Sequence, residues 1–360
     1  MTLSLKARSF NVDLIRVVAA LMVVYMHTVY NFSIRVDFFA TKLWWLLEPL
    51  TALSKTCVLL FFMLSGYLVI GKKRSIRENW LKTKQRILIP LLFFGALNIV
   101  YAAYLYHFTS ANTPAFWQGQ LIRITNYPSS PLWFLIVLAY LYLLNPVWHI
   151  LFTNQQTKTI AVYITKLFFT LSIALMFIAF PSGKVGTIFN FFTSWVGFAC
   201  FYLYGGLVAN RWVSFANQKI NTVLMSTGML LTFVGDVATG WADTHQGSFV
   251  WADYTGNFLS LPVIILAVGL FNYLISADYK VIKASGQKLM AWLAGLSLGV
   301  YLVHTYIVSI LTDLISFNFD QISMNVYLYL VVNFCLVLGS SMIVTLVIKS
   351  TPYLRKIIGE

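Results

Sequence analysis

Residues 11–32 read NVDLIRVVAALMVVYMHTVYNF, an almost unbroken apolar run. A single α-helix needs about 20 such residues to cross a bilayer core, and unpaired backbone groups are too costly in lipid for open strands. Comparable runs recur along the chain, divided by charged or Pro, Gly and Asn-rich turns. They fall at residues 11–32, 43–70, 87–108, 131–152, 159–180, 189–209, 220–240, 254–275, 290–313 and 323–348. The sequence therefore predicts an all-α, polytopic integral membrane protein with about ten transmembrane helices.

The composition excludes a soluble protein of this length. Hydrophobic residues make up 59% of the 360 residues, charged residues make up 10%, and the mean hydropathy is +0.77, so most of the surface must face lipid. The net charge of +14 does not indicate a nucleic-acid partner, because the basic residues are interleaved with the apolar runs. Cys57, Cys200 and Cys335 lie far apart in apolar segments, so we predict neither a metal site nor a disulfide framework.

The distribution of Lys and Arg predicts the orientation of the chain. With the N-terminus inside, 18 of the 25 Lys and Arg residues fall in inner segments and four in outer segments. Positive residues favour the cytoplasmic side, so both termini are predicted to be cytoplasmic. We expect a multi-pass protein of the cell membrane, plasma or inner. No stretch indicates a soluble domain, so we expect one transmembrane domain over residues 1–360 with no appended domain.

Three ionisable residues of the first run are candidates for function. Asp13, Arg16 and His27 lie in an otherwise apolar segment, where ionisable residues are costly. Eleven residues make almost three helical turns, so Arg16 and His27 share a face and lie about 16 Å apart along the axis. Asp13, one turn before Arg16, can pair with it. The alternative is an interfacial ion pair and a histidine bonded to a neighbouring helix. The shared face favours function, with His27 nearer the middle of the membrane.

The first inner loop, residues 71–86, carries seven cations and one acidic residue, Glu78. Such a cluster suits phosphate groups, either of lipid headgroups or of a soluble cofactor. The alternative is that these cations only set the orientation of the chain in the membrane and contact anionic lipid. Arg86 lies at the mouth of the third helix, which favours function for this residue. The cations that we assign to phosphate binding are Lys73, Lys82, Lys84 and Arg86.

Five further residues are candidates for the outer, acceptor-facing side. Ser65 marks a point of close helix approach, Trp133 lies near the outer start of the fourth helix, and Tyr301 and His304 lie in the ninth. Each has a structural alternative: a helix contact, the interfacial aromatic belt or an interhelical hydrogen bond. Lys55, in the outer half of the second helix, must find a partner or water.

Together these segments resemble the acyltransferase 3 family of integral-membrane acyltransferases. Five segments carry the resemblance over almost the whole chain: DLIR with ten residues between Arg16 and His27, SGY at 65–67, the basic run ending at 86–90, PLWFL at 131–135 and SLGVYLVH at 297–304. The resemblance implies transfer of an acyl group, usually acetyl, from cytoplasmic acyl-coenzyme A (acyl-CoA) to a hydroxyl of a glycan or lipid-linked saccharide. Some relatives carry an extracytoplasmic hydrolase-like domain that completes transfer. This chain is then expected either to transfer directly or to use a separate extracytoplasmic partner.

The residues fit this chemistry. Arg16, Arg86 and the inner-loop lysines are expected to hold the nucleotide phosphates, while the pantetheine arm brings the thioester towards His27. His27 then acts as a general base on the acceptor hydroxyl or forms a transient acyl-imidazole, and Asp13 orients Arg16. The rival function is a transporter of an anionic or proton-coupled solute, which would use the same buried Arg and His. An unbroken first helix and the lack of an internal repeat disfavour that function.

Overall fold

The computed structural model describes residues 9–30, 38–105, 114–125, 132–245, 250–279, 281–315, 317 and 324–360, without side chains for 105, 120, 122–125 and 186. These residues form helices and no strand. The α-helices are α1 (Phe10–Tyr25), α2 (Lys42–Ser54), α3 (Cys57–Val69), α4 (Ile76–Thr83), α5 (Ile89–Leu105), α6 (Pro114–Thr125), α7 (Trp133–Leu143), α8 (Asn145–Thr153), α9 (Lys158–Ala179), α10 (Val185–Ile188), α11 (Ser194–Ala209), α12 (Gln218–Thr244), α13 (Leu261–Ser276), α14 (Ala284–Ser309) and α15 (Val326–Ser350). π-Helical turns continue α1 at Met26–Tyr30, join α4 to α5 at Lys84–Leu88 and follow α14 at Ile310–Leu314. The predicted all-α, polytopic membrane fold is confirmed.

Eight helices in the described part of the chain are long and apolar enough to cross a membrane. The α7 and α8 pair makes a ninth when it is counted as one bent span, and α11 is apolar but shorter, at 16 residues. These segments correspond to the ten predicted runs. The run at 189–209 is shorter than predicted because Asn190 and Thr193 side chains accept backbone N–H groups and form a turn before α11. The cytoplasmic placement of both termini stays a prediction.

The bend between α7 and α8 divides the fourth predicted run. The two helix axes differ by 57°. Pro146 lies in the first turn of α8, and the residue before a proline is disfavoured in the α conformation, so α7 ends at Leu143. The Tyr202 hydroxyl of α11 donates to the buried Asn145 side chain at 3.1 Å. This hydrogen bond fixes the first residue of α8 at the bend.

The chain forms two compact units. Unit one comprises Met1–Ser65 and Arg211–Thr345, and unit two comprises Gly66–Asn210 and Leu346–Glu360. Unit one therefore holds α1, α2 and the helices from α12 to α14, and unit two holds the helices from α4 to α11. The expectation of one transmembrane domain over residues 1–360 stays a prediction.

Hydrogen bonds show which helix ends of unit one lie together. Asn11, at the start of α1, donates to three backbone carbonyl oxygens at the end of α13, the nearest being that of Ala277 at 2.9 Å. Gln218, at the start of α12, donates to Oγ of Ser276 at 2.9 Å. The starts of α1 and α12 and the end of α13 thus form one end of this unit. We call it the Asn11 end.

Gly66, in the SGY motif, lies directly against the backbone of α11 in unit two. A Cβ added at Gly66 would overlap the carbonyl oxygen of Tyr202. We therefore expect Gly66→Ala to lower the free energy of unfolding by about 1–3 kcal/mol, because one of two backbones must move. Gly95→Ala on α5 is the matched control, since a Cβ at Gly95 meets no atom within 4 Å. Thermal unfolding of both purified variants measures the effect, and equal melting temperatures would contradict the close approach.

Candidate active site

His27 lies in the π-helical turn Met26–Tyr30 that continues α1. The α-helical pitch that relates Arg16 to His27 holds through Tyr25 and widens beyond it, because a π-turn bonds residues five apart instead of four. His27 is therefore rotated around the helix axis relative to the face that the sequence predicted it to share with Arg16. Single π-turns occur frequently at functional sites. No periodicity in the sequence MHTVY indicates this turn.

His27 faces His304 of α14. The centres of the two imidazole rings lie 4.9 Å apart, with the ring planes inclined by 55°. His304 is fully buried, and its Nδ1 lies 3.1 Å from the carbonyl oxygen of Val300. Because a carbonyl oxygen accepts, this contact assigns the proton to Nδ1 and a lone pair to Nε2. Within the described residues, Nε2 of His304 has no hydrogen-bond partner.

Packing of α1 against α14 and α3 holds the two histidines together. Val24 and Val300, about one turn before each histidine, belong to one buried apolar cluster. The ring centre of Tyr301 lies 6.1 Å from that of Phe61 on α3 and 5.9 Å from that of His304. Ser65, one turn after Phe61, is half-buried. The structure thus brings three of the predicted residues, His27, Tyr301 and His304, into one place.

Asp13 and Arg16 lie in the first turns of α1, towards the Asn11 end. Asp13 is buried, and its Oδ1 lies 3.9 Å from Nη1 of Arg16, whose side chain is 34% exposed. At this distance the ion pair contributes little to stability, so orientation of the guanidinium is the better explanation for it. The geometry agrees with the predicted role of Asp13, and the role itself stays a prediction.

Lys55 lies at the break between α2 and α3 and is only 2% exposed. Its Nζ is 2.6 Å from Oδ1 of Asp236 on α12, and the Thr255 hydroxyl donates to the same oxygen at 2.6 Å. The partner that the sequence required for Lys55 is therefore a carboxylate of a distant helix. A buried ion pair of this kind is costly to desolvate, so it is weak evidence for a purely stabilising role.

Glu48 of α2 completes this group of side chains. It is 3% exposed, and its carboxyl group interacts with that of Asp236. The two carboxyl groups are hydrogen-bonded to each other, so one of them carries a proton. We call Glu48, Lys55, Asp236 and Thr255 the carboxylate cluster. Sequence reasoning missed all but Lys55, and the available signal was a lone acidic residue inside the runs 43–70 and 220–240.

Two tyrosines connect α2 to the turn that holds His27. The Tyr25 hydroxyl, just before the turn, donates to the carbonyl oxygen of Leu47 and lies 3.1 Å from Oγ1 of Thr51. The ring centre of Tyr30, the last residue of the turn, is 6.0 Å from Nζ of Lys55. Both ends of the turn are therefore held beside α2 and the carboxylate cluster.

The predicted phosphate-binding cations belong to unit two. Lys82 lies in the last turn of α4, Lys84 and Arg86 lie in the π-helical turn that follows, and Lys73 precedes α4. All four side chains are exposed. Exposure to solvent suits contact with a soluble, phosphate-bearing ligand or with lipid headgroups, so the two alternatives from the sequence remain.

The C-terminal segment adds cations to this surface. Nε2 of Gln85 donates to the carbonyl oxygen of Glu360 at 3.4 Å, and the segment Leu354–Ile358 packs on the second π-helical turn. Arg355 and Lys356 of that segment are exposed. Sequence reasoning placed both residues on the inner side and did not assign them to phosphate binding.

Trp133 lies at the start of α7 in unit two and is half-buried. Its ring centre is 5.1 Å from that of Phe198 on α11. This packing explains the position of the indole within the unit. Its assignment to the acceptor stays a prediction.

Comparison with known protein families identifies the chain. The acyltransferase 3 family model, described as an acyltransferase domain, matches residues 10–349. No curated protein and no solved structure matches the chain at a significant level. The matched range includes His27, His304, the carboxylate cluster and Arg86, and it confirms the resemblance carried by the five motifs. With its long apolar helices, the chain therefore belongs to the acyltransferase 3 family and is a membrane acyltransferase.

Proposed function

We propose that the protein is an O-acyltransferase of the plasma or inner membrane. It moves an acetyl group from cytoplasmic acetyl-CoA to a hydroxyl of a cell-surface glycan or lipid-linked saccharide. The observation that supports this most directly is the pair of His27 and His304, which lies inside the family match and keeps a buried ring nitrogen without a partner. Imidazole is the side chain best suited to move a proton at neutral pH.

The cations are assigned to the donor. Acyl-CoA carries phosphate groups, and guanidinium groups bind phosphate through two parallel hydrogen bonds. Arg16 and Arg86 are therefore proposed phosphate ligands, with Lys73, Lys82 and Lys84 as further point charges. The proposal also requires these residues to face the cytoplasm, as the charge distribution predicts.

His27 carries the chemistry by one of two routes. As a general base, His27 takes the proton of the acceptor hydroxyl while the hydroxyl oxygen attacks the thioester carbon. The C–S bond breaks, and His27 returns the proton to the leaving thiolate, giving the ester and CoA. As a nucleophile, a ring nitrogen of His27 attacks the thioester carbon, the C–S bond breaks and the CoA thiolate leaves and takes up a proton. The acceptor hydroxyl then attacks the acyl-imidazole and loses its proton, giving the ester and free His27. In either route the His304 ring packs beside that of His27, with 4.9 Å between the ring centres.

The outer side of the bundle is assigned to the acceptor. The residues proposed for it are Lys55, Ser65, Trp133, Tyr301 and His304. Transfer is either direct or completed by a separate extracytoplasmic transferase. The test is mass spectrometry of surface glycans and glycolipids from cells with and without this protein. An acyl group that one glycan or glycolipid lacks in the cells without the protein identifies both the donor's acyl group and the acceptor.

A transporter is the rival function. The bent α7 and α8 pair favours it, since transporters use discontinuous helices. Purified protein with radiolabelled acetyl-CoA separates the two functions. Cleavage of the thioester supports the acyltransferase, whereas uptake of an anion or a proton-coupled solute into vesicles without cleavage supports the transporter and would overturn the proposal.

Arg86→Ala is expected to weaken acetyl-CoA binding by about tenfold while leaving folded protein in the membrane, because an exposed guanidinium contributes to binding and not to packing. Arg86→Lys should rescue only part of the affinity, since the paired hydrogen bonds to phosphate are lost. Lys184→Ala is the matched control, because Lys184 is an exposed cation of the same unit that lies in a predicted outer segment. Calorimetric titration with CoA measures all three. Unchanged affinity of the Arg86→Ala variant would remove this residue from the donor site.

A further inference from the structure

We infer that α4 is an interfacial helix and that its Arg77 binds the headgroup of an anionic phospholipid. The inference goes beyond acyl transfer and does not depend on it, because lipid binding is measured directly. Four exposed residues on one side of the helix carry it. They are Ile76, Arg77, Trp80 and Leu81, which we call the α4 lipid face.

The helix that contains α4 is longer than the hydrocarbon core of a bilayer. α4, the π-helical turn Lys84–Leu88 and α5 form one span of 29 residues, from Ile76 to Tyr104. At 1.5 Å per residue this span is about 43 Å long, whereas the core is about 30 Å thick. The apolar part from Ile87 onwards covers about 27 Å of that length and suffices to cross the core. The part before Ile87, which includes α4, therefore lies in the headgroup layer.

Two buried residues fix which sides of α4 face outwards. Nδ2 of Asn79 donates to the carbonyl oxygen of Tyr142 on α7 at 2.7 Å, and Thr83, about one turn later, is also buried. Successive residues of an α-helix are rotated by about 100°, so the α4 lipid face covers a sector of about 140° next to the buried side. Glu78 and Lys82 lie in the sector that remains. One exposed side of α4 is thus mostly apolar, and the other is charged.

Large apolar side chains on the α4 lipid face indicate contact with lipid. The exposed fractions are 78% for Ile76, 47% for Trp80 and 50% for Leu81. Tryptophan is enriched where the hydrocarbon core meets the headgroups, and helices that lie in this layer combine such residues with Lys and Arg. The composition and the position of α4 therefore agree.

Arg77 places one cation within this apolar face. Trp80 and Leu81 follow it by three and four residues, so they lie on its side of the helix. A guanidinium in the headgroup layer can donate two parallel hydrogen bonds to a lipid phosphate. Glu78, its neighbour in sequence, is engaged elsewhere, because its carboxylate accepts the backbone N–H of Ser75 at 2.8 Å. Arg77 is thus oriented towards lipid phosphate.

The chemistry of the face selects an anionic phospholipid. Residues 71–86 carry seven cations and one acidic residue, which attract anionic headgroups. A zwitterionic lipid such as phosphatidylcholine carries its own cation beside the phosphate and is attracted less. A soluble phosphate would satisfy Arg77 but would leave Ile76, Trp80 and Leu81 in water. An anionic phospholipid supplies the phosphate and the apolar chains together.

The test uses purified full-length protein in vesicles of phosphatidylcholine with a minor fraction of phosphatidylglycerol. One lipid at a time is brominated in the upper part of its acyl chains, because bromine quenches the fluorescence of a nearby indole. Each protein is compared with the same protein carrying Trp80→Phe, and the difference isolates the emission of Trp80. We expect phosphatidylglycerol to associate with this site about fivefold more strongly than phosphatidylcholine, as one cation near the surface contributes.

Arg77→Ala should remove this preference, so that the two lipids quench Trp80 equally. Arg77→Lys should keep most of it, because the charge remains. Lys82→Ala is the matched control, since Lys82 is an exposed cation of the same helix in the other exposed sector. It should keep the preference of wild type. Arg77→Gln is a second neutral variant, which keeps the inference testable if Arg77→Ala does not fold.

Three results would overturn the inference. They are equal quenching of Trp80 by the two lipids in wild type, a preference that persists in the folded neutral variants of Arg77, and no quenching by either lipid. A saturating concentration of CoA in solution should leave the quenching unchanged. Loss of the preference on adding CoA would assign Arg77 to a soluble phosphate ligand instead of a lipid.

Discussion

Replacement of His27 by Gln is expected to leave a folded protein that binds acetyl-CoA and transfers almost no acyl group. Gln is a neutral polar side chain of similar size to His, so the packing of α1 against α14 should persist. It cannot take up a proton at neutral pH and cannot form an acyl intermediate, so both proposed routes stop. We expect the transfer rate to fall on the order of a hundredfold to ten-thousandfold. Transfer rate, CoA affinity and melting temperature of purified variant and wild type measure the separation.

His149→Gln is the control for this experiment. His149 is a half-buried histidine of unit two whose Nδ1 lies 2.9 Å from the carbonyl oxygen of Ile70, a contact that the Gln amide can reproduce. Its transfer rate should stay close to wild type. Near-normal turnover by the His27→Gln variant would remove His27 from the mechanism. A melting temperature that falls before activity does would instead assign His27 a structural role.

Removal of Lys55 alone is expected to have the largest effect on stability. Lys55→Ala leaves the carboxylate of Asp236, with Glu48 close beside it, buried without its cation. Breaking one side of a buried ion pair costs about 3–5 kcal/mol, because the remaining charge keeps its desolvation penalty. We therefore expect a strongly lowered melting temperature, measured in the same detergent as wild type.

Neutralising both partners should restore most of that loss. The double variant Lys55→Met with Asp236→Asn contains no unpaired charge, and apolar or neutral replacements of buried pairs are often tolerated. Lys349→Met provides a matched single removal, because its ion pair with Glu360 is partly exposed and should be worth about 1 kcal/mol or less. If Lys55→Ala melted like wild type, the 2.6 Å contact would not describe the protein in the membrane.

The sequence predicted the positions of the helices better than their ends and the contacts between them. Long apolar runs determine spans because lipid accepts almost nothing else, and ten predicted runs correspond to observed segments. The ends of 189–209 and the bend at Pro146 differ because local hydrogen bonds and a missing N–H override hydropathy. The residues responsible for both features can be read in the sequence. An average of hydropathy over the whole run does not reveal them.

The sequence identified site residues by the cost of placing an ionisable side chain in the membrane. It did not identify the residues with which they pair. His27, Lys55 and His304 stand out because each is ionisable within an apolar run. Their partners depend on which helices pack together, and spacing along one helix contains no information about that. Asp236 was therefore missed although it is as ionisable as Lys55. The contact between the carboxyl groups of Glu48 and Asp236 becomes recognisable only when three-dimensional neighbours are known.

The π-helical turn at Met26–Tyr30 has a consequence for comparing this chain with its relatives. A π-turn arises when one residue is inserted into a regular helix, so deleting one residue there would close the turn. Because the turn takes up the extra residue, the helix after it would keep its direction, and only the side chains within the turn, including His27, would face another way. A relative whose alignment has a one-residue gap in this segment should therefore present a different side chain to the counterpart of His304, even if its histidine is retained. The length of this helix, and not only its composition, decides which side chain faces His304.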